Sequence, residues 1–134
     1  MNTNLPLNWM DAYSISLMKD FLCTKKASRE ANKTVARLYI KEGMSVEWKK
    51  ASAHANKCKE RHEGAARRLL DAGLSVPSEE VVRRAIESLS REAFRHHESS
   101  MMIFGERMFS EPRVAKECNA KLHALCALHK AQIS

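Results

Sequence analysis

Glycine and proline, the residues that interrupt helices, occur at very few points in this 134-residue chain. Three of the four glycines, Gly43, Gly73 and Gly105, stand where stretches of apolar periodicity end. The left-handed residue that closes a helix is most easily glycine. Pro77 and Pro112 stand near the first turns of the next periodic stretches, where the fixed φ of proline favours a helix. The spacing therefore predicts long helices joined by short connections.

Serines mark where several of these helices begin. Ser45, Ser78 and Ser110 stand where an N-cap oxygen would accept from free backbone N–H groups. The predicted helices cover residues 8–25, 28–42, 45–72, 78–104 and 111–132. The break between the first two stays open, because the segment CTKKASREANK contains neither glycine nor proline and also fits one continuous helix.

Composition supports the same class of fold. Aromatic residues make up only 6% of the chain, so the core must be built from Leu, Met, Ala and Val, which favours helices over sheet. The sequence shows no alternating strand pattern and no internal repeat. We therefore expect a single domain over residues 1–134, folded as an all-α antiparallel bundle of four to five helices.

Apolar residues form three rows at helical spacing. The most regular one alternates steps of three and four and is rich in small side chains, which would let a neighbouring backbone come close. This seam consists of Trp48, Ala51, Ala55, Cys58, His62, Ala65, Leu69 and Ala72. A second row consists of Val82, Ile86, Leu89, Ala93, Met101 and Phe104, and a third of Ala115, Cys118, Leu122, Leu125 and His129.

The formal charge of +7 is concentrated in the first half of the chain. Cations recur on two helix faces, one with Arg29, Lys33, Arg37 and Lys41 and the other with Lys50, Lys57, Arg61 and Arg68. Few acidic residues compensate the charge of the first face, because Glu30 is expected off to one side and Glu42 stands at the end. Such faces are either solvated surface or a surface for phosphates or an acidic protein patch. No aromatic residue interleaves them, so base stacking is not indicated.

One segment resembles an enzyme family. The sequence SREAFRHHESS contains Arg91-x4-His96 and Arg91-x5-His97, which resembles the R-x4–6-H motif of the HEPN family of all-α domains, some of them RNases. The resemblance implies that Arg91 would steady a phosphate and that His96 or His97 would transfer a proton. The polar residue that often follows the arginine is here Glu92, which would oppose a phosphate.

Other chemistry is not indicated. His123, Cys126 and His129 cannot all share one narrow helix face, so we expect no metal site and no cofactor. The chain has no phosphate-binding glycine loop and no hydrolase or metalloprotease motif. With no signal peptide, no CxxC pair and no apolar stretch long enough to span a bilayer, it is expected to be cytoplasmic, with reduced thiols and no membrane partner.

These features predict a small non-enzymatic helical module that binds a polyanion, either nucleic acid or the acidic surface of a nucleic-acid-handling machine. The alternative is a protein–protein adaptor or inhibitor that docks through helix faces, a type of protein that phages and mobile elements often encode. An RNase of the HEPN type is a third reading. A homodimer formed through helix faces is compatible with each.

Overall fold

The computed structural model describes residues 7–102 and 112–134, except for the side chains of residues 8, 96–102 and 112. A short 3₁₀ turn, Leu7–Trp9, precedes four α-helices. They are α1 (Ala12–Glu42), α2 (Val46–Asp71), α3 (Glu79–Met102) and α4 (Pro112–Ile133). The described ranges contain no strand, so the predicted all-α bundle of four to five helices is confirmed.

The first helix is continuous where the sequence left a break open. Residues 8–25 and 28–42 do not form two helices, because α1 runs without interruption from Ala12 to Glu42. In the middle of this helix, the Thr24 hydroxyl donates to the carbonyl oxygens of Asp20 and Phe21, at 2.8 and 3.1 Å. At 1.5 Å per residue, α1 is roughly 45 Å long, and the other elements are arranged along it.

The helix ends follow the expected capping chemistry. The Ser45 and Ser78 hydroxyls accept from the backbone N–H groups of Trp48 and Val81, at 3.1 and 3.3 Å. Gly43 and Gly73 have φ values of 66° and 68°, a region that non-glycine residues avoid. The start of α1 differs from the prediction, because Asp11 rather than a residue near position 8 is the N-cap. Gly105 and Ser110 lie outside the described residues.

The helices are arranged as two antiparallel hairpins. Gly43 reverses the chain between α1 and α2, and the Cys118 thiol of α4 lies 3.6 Å from the Leu89 carbonyl oxygen of α3. Near the other end of the second hairpin, Gln132 Nε2 donates to the Pro77 carbonyl oxygen at 2.8 Å. The helix α4 also packs along the first half of α1 and runs in the same direction.

The main core lies where the two hairpins meet. Its most deeply buried side chains belong to three helices and are Ile15, Met18, Val82, Leu125 and Leu128. The predicted rows of α3 and α4 contribute Leu89 and Cys118 to it as well. The side chain of Met101, and Phe104 altogether, lie outside the described residues.

The α2 seam is largely confirmed. Its buried members are Ala55, Cys58, Ala65 and Leu69, while Trp48, Ala51 and His62 are half-buried. Ala72 was predicted to continue the seam and is instead exposed, because it is the C-cap of α2. The seam therefore ends one turn earlier than its periodicity indicated.

The second half of α1 packs on α2 through a separate small cluster. It consists of Ala31, Ala55 and Cys58, with Val35 partly buried against it. We call residues 31–58 the distal hairpin. Because its contact is built from small side chains, the two helices can approach closely there, and added volume has little room.

We expect Ala55→Leu to destabilise the fold by about 1–3 kcal/mol, because three extra carbon atoms overpack this contact. The measurement is the midpoint of thermal or denaturant unfolding. Lys57→Leu, on an exposed position two residues further along α2, is the control and should stay within about 0.5 kcal/mol of the parent. Equal stability of the two variants would contradict the close helix contact.

The four cysteines are free thiols in two environments. Cys58 and Cys118 are buried, whereas Cys23 and Cys126 are exposed, and burial raises the pKa of the Cys118 thiol above its ordinary value. We expect a thiol-reactive dye to label two cysteines rapidly in the native protein and all four after denaturation, since the thiolate is the reactive form. A native disulfide, or four equally fast thiols, would contradict this assignment.

The Asp11 cap makes the stability depend on pH. Its carboxylate accepts from Ser14 N at 2.8 Å, and this hydrogen bonding, aided by the Lys121 charge, lowers the pKa of Asp11 below its ordinary value of 3.8. A lowered folded-state pKa means that the charged form stabilises the fold above the ordinary pKa and that this contribution is lost as the pH falls through the lowered one.

We expect Asp11→Asn, which keeps a cap but removes the charge, to be less stable than the parent at neutral pH. The difference in the free energy of unfolding should vanish in acid, where Asp11 is protonated. Urea denaturation of both proteins across this pH range measures it. A difference that stays constant with pH would show that the charge of Asp11 does not contribute.

Candidate polyanion-binding surface

The four predicted cations of α1 lie on its outer surface. Arg29, Lys33, Arg37 and Lys41 are all exposed, whereas Ala31 and Val35 of the same helix pack against α2. Successive cations turn about 40° around the helix axis and rise about 6 Å, because four residues exceed one turn of 3.6. They form a ribbon that winds slowly around α1.

The continuity of α1 adds a fifth cation to this ribbon. Lys25 stands four residues before Arg29 and is exposed in the same helix. Sequence reasoning missed it because Lys25 was placed at the end of a first helix, 8–25, and the other four cations in a second helix, 28–42. The spacing itself was the available signal, since Lys25 continues the four-residue repeat.

An open cleft of about 510 Å³ lies beside the first part of the ribbon. Its lining combines three cations with hydrogen-bonding side chains and one histidine of α2: Lys25, Ser28, Arg29, Asn32, Lys33, Ala36 and His62. The His62 ring is held in place, since its Nδ1 lies 3.1 Å from the Thr24 hydroxyl and its centroid lies 5.1 Å from that of Phe21. This cleft could hold an anionic group among several donors.

A second cleft, of about 380 Å³, adjoins the first. Lys25 and Arg29 line both clefts, and the second adds Lys26 together with residues next to the end of α4. Glu79 also lines it. Its negative charge opposes an anion there, so the first cleft is better suited to phosphate.

One carboxylate partly compensates the positive charge of the ribbon. Glu30 was predicted to lie off to one side, yet its carboxylate is 3.9 Å from Lys33 Nζ. Both side chains are more than 60% exposed, and such surface pairs contribute little and break easily. Residues 25–68 together hold thirteen Lys or Arg against five Asp or Glu. The region therefore keeps a strong positive potential.

The predicted cations of α2 are exposed but lie outside the two clefts. They are Lys50, Lys57, Arg61 and Arg68. Lys50 Nζ lies 4.0 Å from a Glu47 carboxylate oxygen, and the other three extend the positive surface along α2. The structure thus brings Arg29 and Lys33 of the predicted α1 cations together in one cleft. The predicted α2 cations lie on exposed surface outside it.

The remaining candidate residues do not assemble into a reaction centre in the described part of the chain. Arg91 is exposed on α3, and the side chains of His96 and His97 lie outside the description. Among the side chains that the structure describes, no three of His, Cys, Asp or Glu are placed to share a metal ion. His54 Nε2 lies 3.5 Å from the Cys58 thiol, a contact within one helix turn at a buried sulfur.

A search for membrane-spanning helices among the described residues found none of sufficient length and apolarity. Comparison of the chain with protein-family profiles, curated proteins and solved structures returned no match.

Proposed function

We propose that the protein is a non-enzymatic nucleic-acid-binding module that contacts the phosphate backbone through α1. The observation that carries the proposal is the unbroken helix, which places five cations at four-residue spacing and opens a cleft beside the first three. Backbone contacts of this kind supply affinity for any sequence and do not read bases.

The winding of the ribbon selects which cations act together. Each step turns about 40°, so about three consecutive cations can face one rigid partner at a time. Lys25, Arg29 and Lys33 are the three that line the cleft, and Ser28 and Asn32 add neutral donors between them. Phosphate oxygens accept hydrogen bonds from such donors as well as from cations.

The other partner class is an acidic protein surface. It would be attracted by the same potential, because the charge of residues 25–68 does not depend on the identity of the partner. The two classes differ in their response to salt and to nucleic-acid length, since only a nucleic acid releases condensed counterions in proportion to the phosphates contacted. The adaptor alternative is therefore an outcome of the same test.

We expect wild-type protein to bind duplex DNA or RNA with an affinity that falls steeply with salt. On B-DNA the slope of log affinity against log salt is about −0.9 per neutralised phosphate. Lys25→Glu/Arg29→Glu/Lys33→Glu should weaken binding to all sequences alike and reduce the slope by about 3 units if each cation neutralises one phosphate. Fluorescence anisotropy across a salt series measures both quantities.

The control is Arg83→Glu/Arg84→Glu/Arg91→Glu, which makes the same change in net charge on exposed positions of α3. It should lower the affinity much less than the α1 triple. Equal loss in both variants would mean that net charge alone drives binding. If the wild type shows no salt-sensitive binding at micromolar concentration, the nucleic-acid proposal is wrong and the adaptor alternative takes its place.

A further inference from the structure

The end of the distal hairpin exposes large apolar side chains around the turn at Gly43. Ile40 is 85% exposed, Met44 68% and Val46 67%, and Tyr39 is 52% exposed beside them. Single exposed apolar residues are ordinary, but several at one end of the molecule form a patch. We call residues 39–46 the hairpin tip.

An aromatic pair connects the two helices at the base of the hairpin tip. The rings of Tyr39 and Trp48 have centroids 6.0 Å apart and a tilt of 53°. The Trp48 Nε1–H is buried and has no hydrogen-bond acceptor within the described residues. Tyrosine and tryptophan are the side chains that concentrate at boundaries between apolar and aqueous surroundings.

Exposed cations lie within the tip and on both sides of it in the sequence. Within residues 37–50 the exposed bases are Arg37, Lys41, Lys49 and Lys50. The same segment contains two carboxylates, of which Glu42 accepts from the Ser45 hydroxyl at 2.9 Å and Glu47 lies 4.0 Å from Lys50 Nζ. The net charge of the segment is therefore positive, and it complements a negative surface.

We propose that the hairpin tip docks on the surface of an anionic lipid bilayer. Ile40, Met44 and Val46 enter the boundary between headgroups and acyl chains, and Tyr39 and Trp48 lie at headgroup depth. Lysine and arginine side chains extend their charged ends to the lipid phosphates. This is a peripheral contact, and the proposal differs from the sequence-based prediction of no membrane partner.

Two observations favour a bilayer over a protein partner. The apolar residues lie at a chain reversal and are largely exposed to solvent. Along the two helices, Ile40, Met44 and Val46 lie nearer to Gly43 than the Tyr39–Trp48 pair does, and exposed cations, among them Lys41 next to the turn, lie beside both. That order matches the polarity gradient of a bilayer surface. A second copy of the same tip would instead bring positive charges together.

The test uses the full chain with Trp9→Phe, which leaves Trp48 as the only tryptophan. We expect it to bind phosphatidylcholine vesicles that contain phosphatidylserine, with a blue shift of Trp48 fluorescence, and to bind pure phosphatidylcholine vesicles more weakly. Ile40→Gln/Met44→Gln should lower the affinity for the anionic vesicles by about tenfold or more. The double substitution removes apolar area that would be buried in the bilayer, and it leaves the charge unchanged.

The matched control is Leu70→Gln, which replaces an apolar residue that is 77% exposed near the other end of α2. It should bind the anionic vesicles as the parent does. Absence of vesicle binding, equal binding to both vesicle types, or equal affinity of the tip and control variants would each overturn the proposal.

A duplex DNA titration of the same variants separates this proposal from the proposed function. The tip variant should keep its DNA affinity within about twofold, since it retains every cation that contacts phosphate. The Lys25→Glu/Arg29→Glu/Lys33→Glu variant should lose DNA affinity yet still show vesicle binding that depends on Ile40 and Met44. If the protein fails to bind DNA but binds the anionic vesicles as expected, only the proposed function is wrong. If it binds DNA as expected but not the vesicles, only the membrane proposal is wrong.

Discussion

The continuity of α1, from the main core to the turn at Gly43, is the constraint on which the rest of the structure depends. The Tyr39 and Trp48 rings pack against each other near the turn, but the buried cluster between the two helices from Ala31 outward consists of alanine, cysteine and valine side chains. Such small groups remove little apolar area from water, so the distal hairpin gains less stability per residue than the main core. The distal hairpin stays folded because α1 is one continuous helix from the main core to the turn at Gly43.

This arrangement also explains how the chain tolerates its charge. Like charges four residues apart on a helix repel by a few tenths of a kcal/mol per pair, and α1 carries five cations at that spacing from Lys25 to Lys41. The repulsion acts between side chains directed to water, where it is screened by salt. The residues that α1 contributes to the main core belong to its first half, whereas most cations of the ribbon belong to its second half. The positive surface is thus held on a framework whose stability derives from elsewhere.

Local patterns in the sequence predicted much of this fold. Ser45 and Gly43 marked the ends of helices because capping depends on a few neighbouring atoms, and Ala55 and Ala65 were placed in the core by their spacing. What could not be predicted depends on contacts between distant residues. Nothing local indicates that α4 runs alongside α1, or that Ile40 and Met44 are left uncovered while apolar residues of similar spacing are buried. Lys25 was missed because the continuity of α1 depends on packing along its whole length.

Among the described residues, the two helices that form the distal hairpin connect it to the main core. A segment with few buried apolar contacts opens locally at a lower free energy than the elements around Ile15 and Leu125. Its backbone amides should accordingly exchange with solvent through local openings, whereas those of the core exchange only when the whole chain unfolds. A ligand held by the ribbon would bind the closed hairpin alone, so its binding free energy would appear as slower exchange in residues 31–58. The protein then consists of a stable main core and a less stable distal hairpin, and the fraction of protein with ligand bound sets how often the hairpin opens.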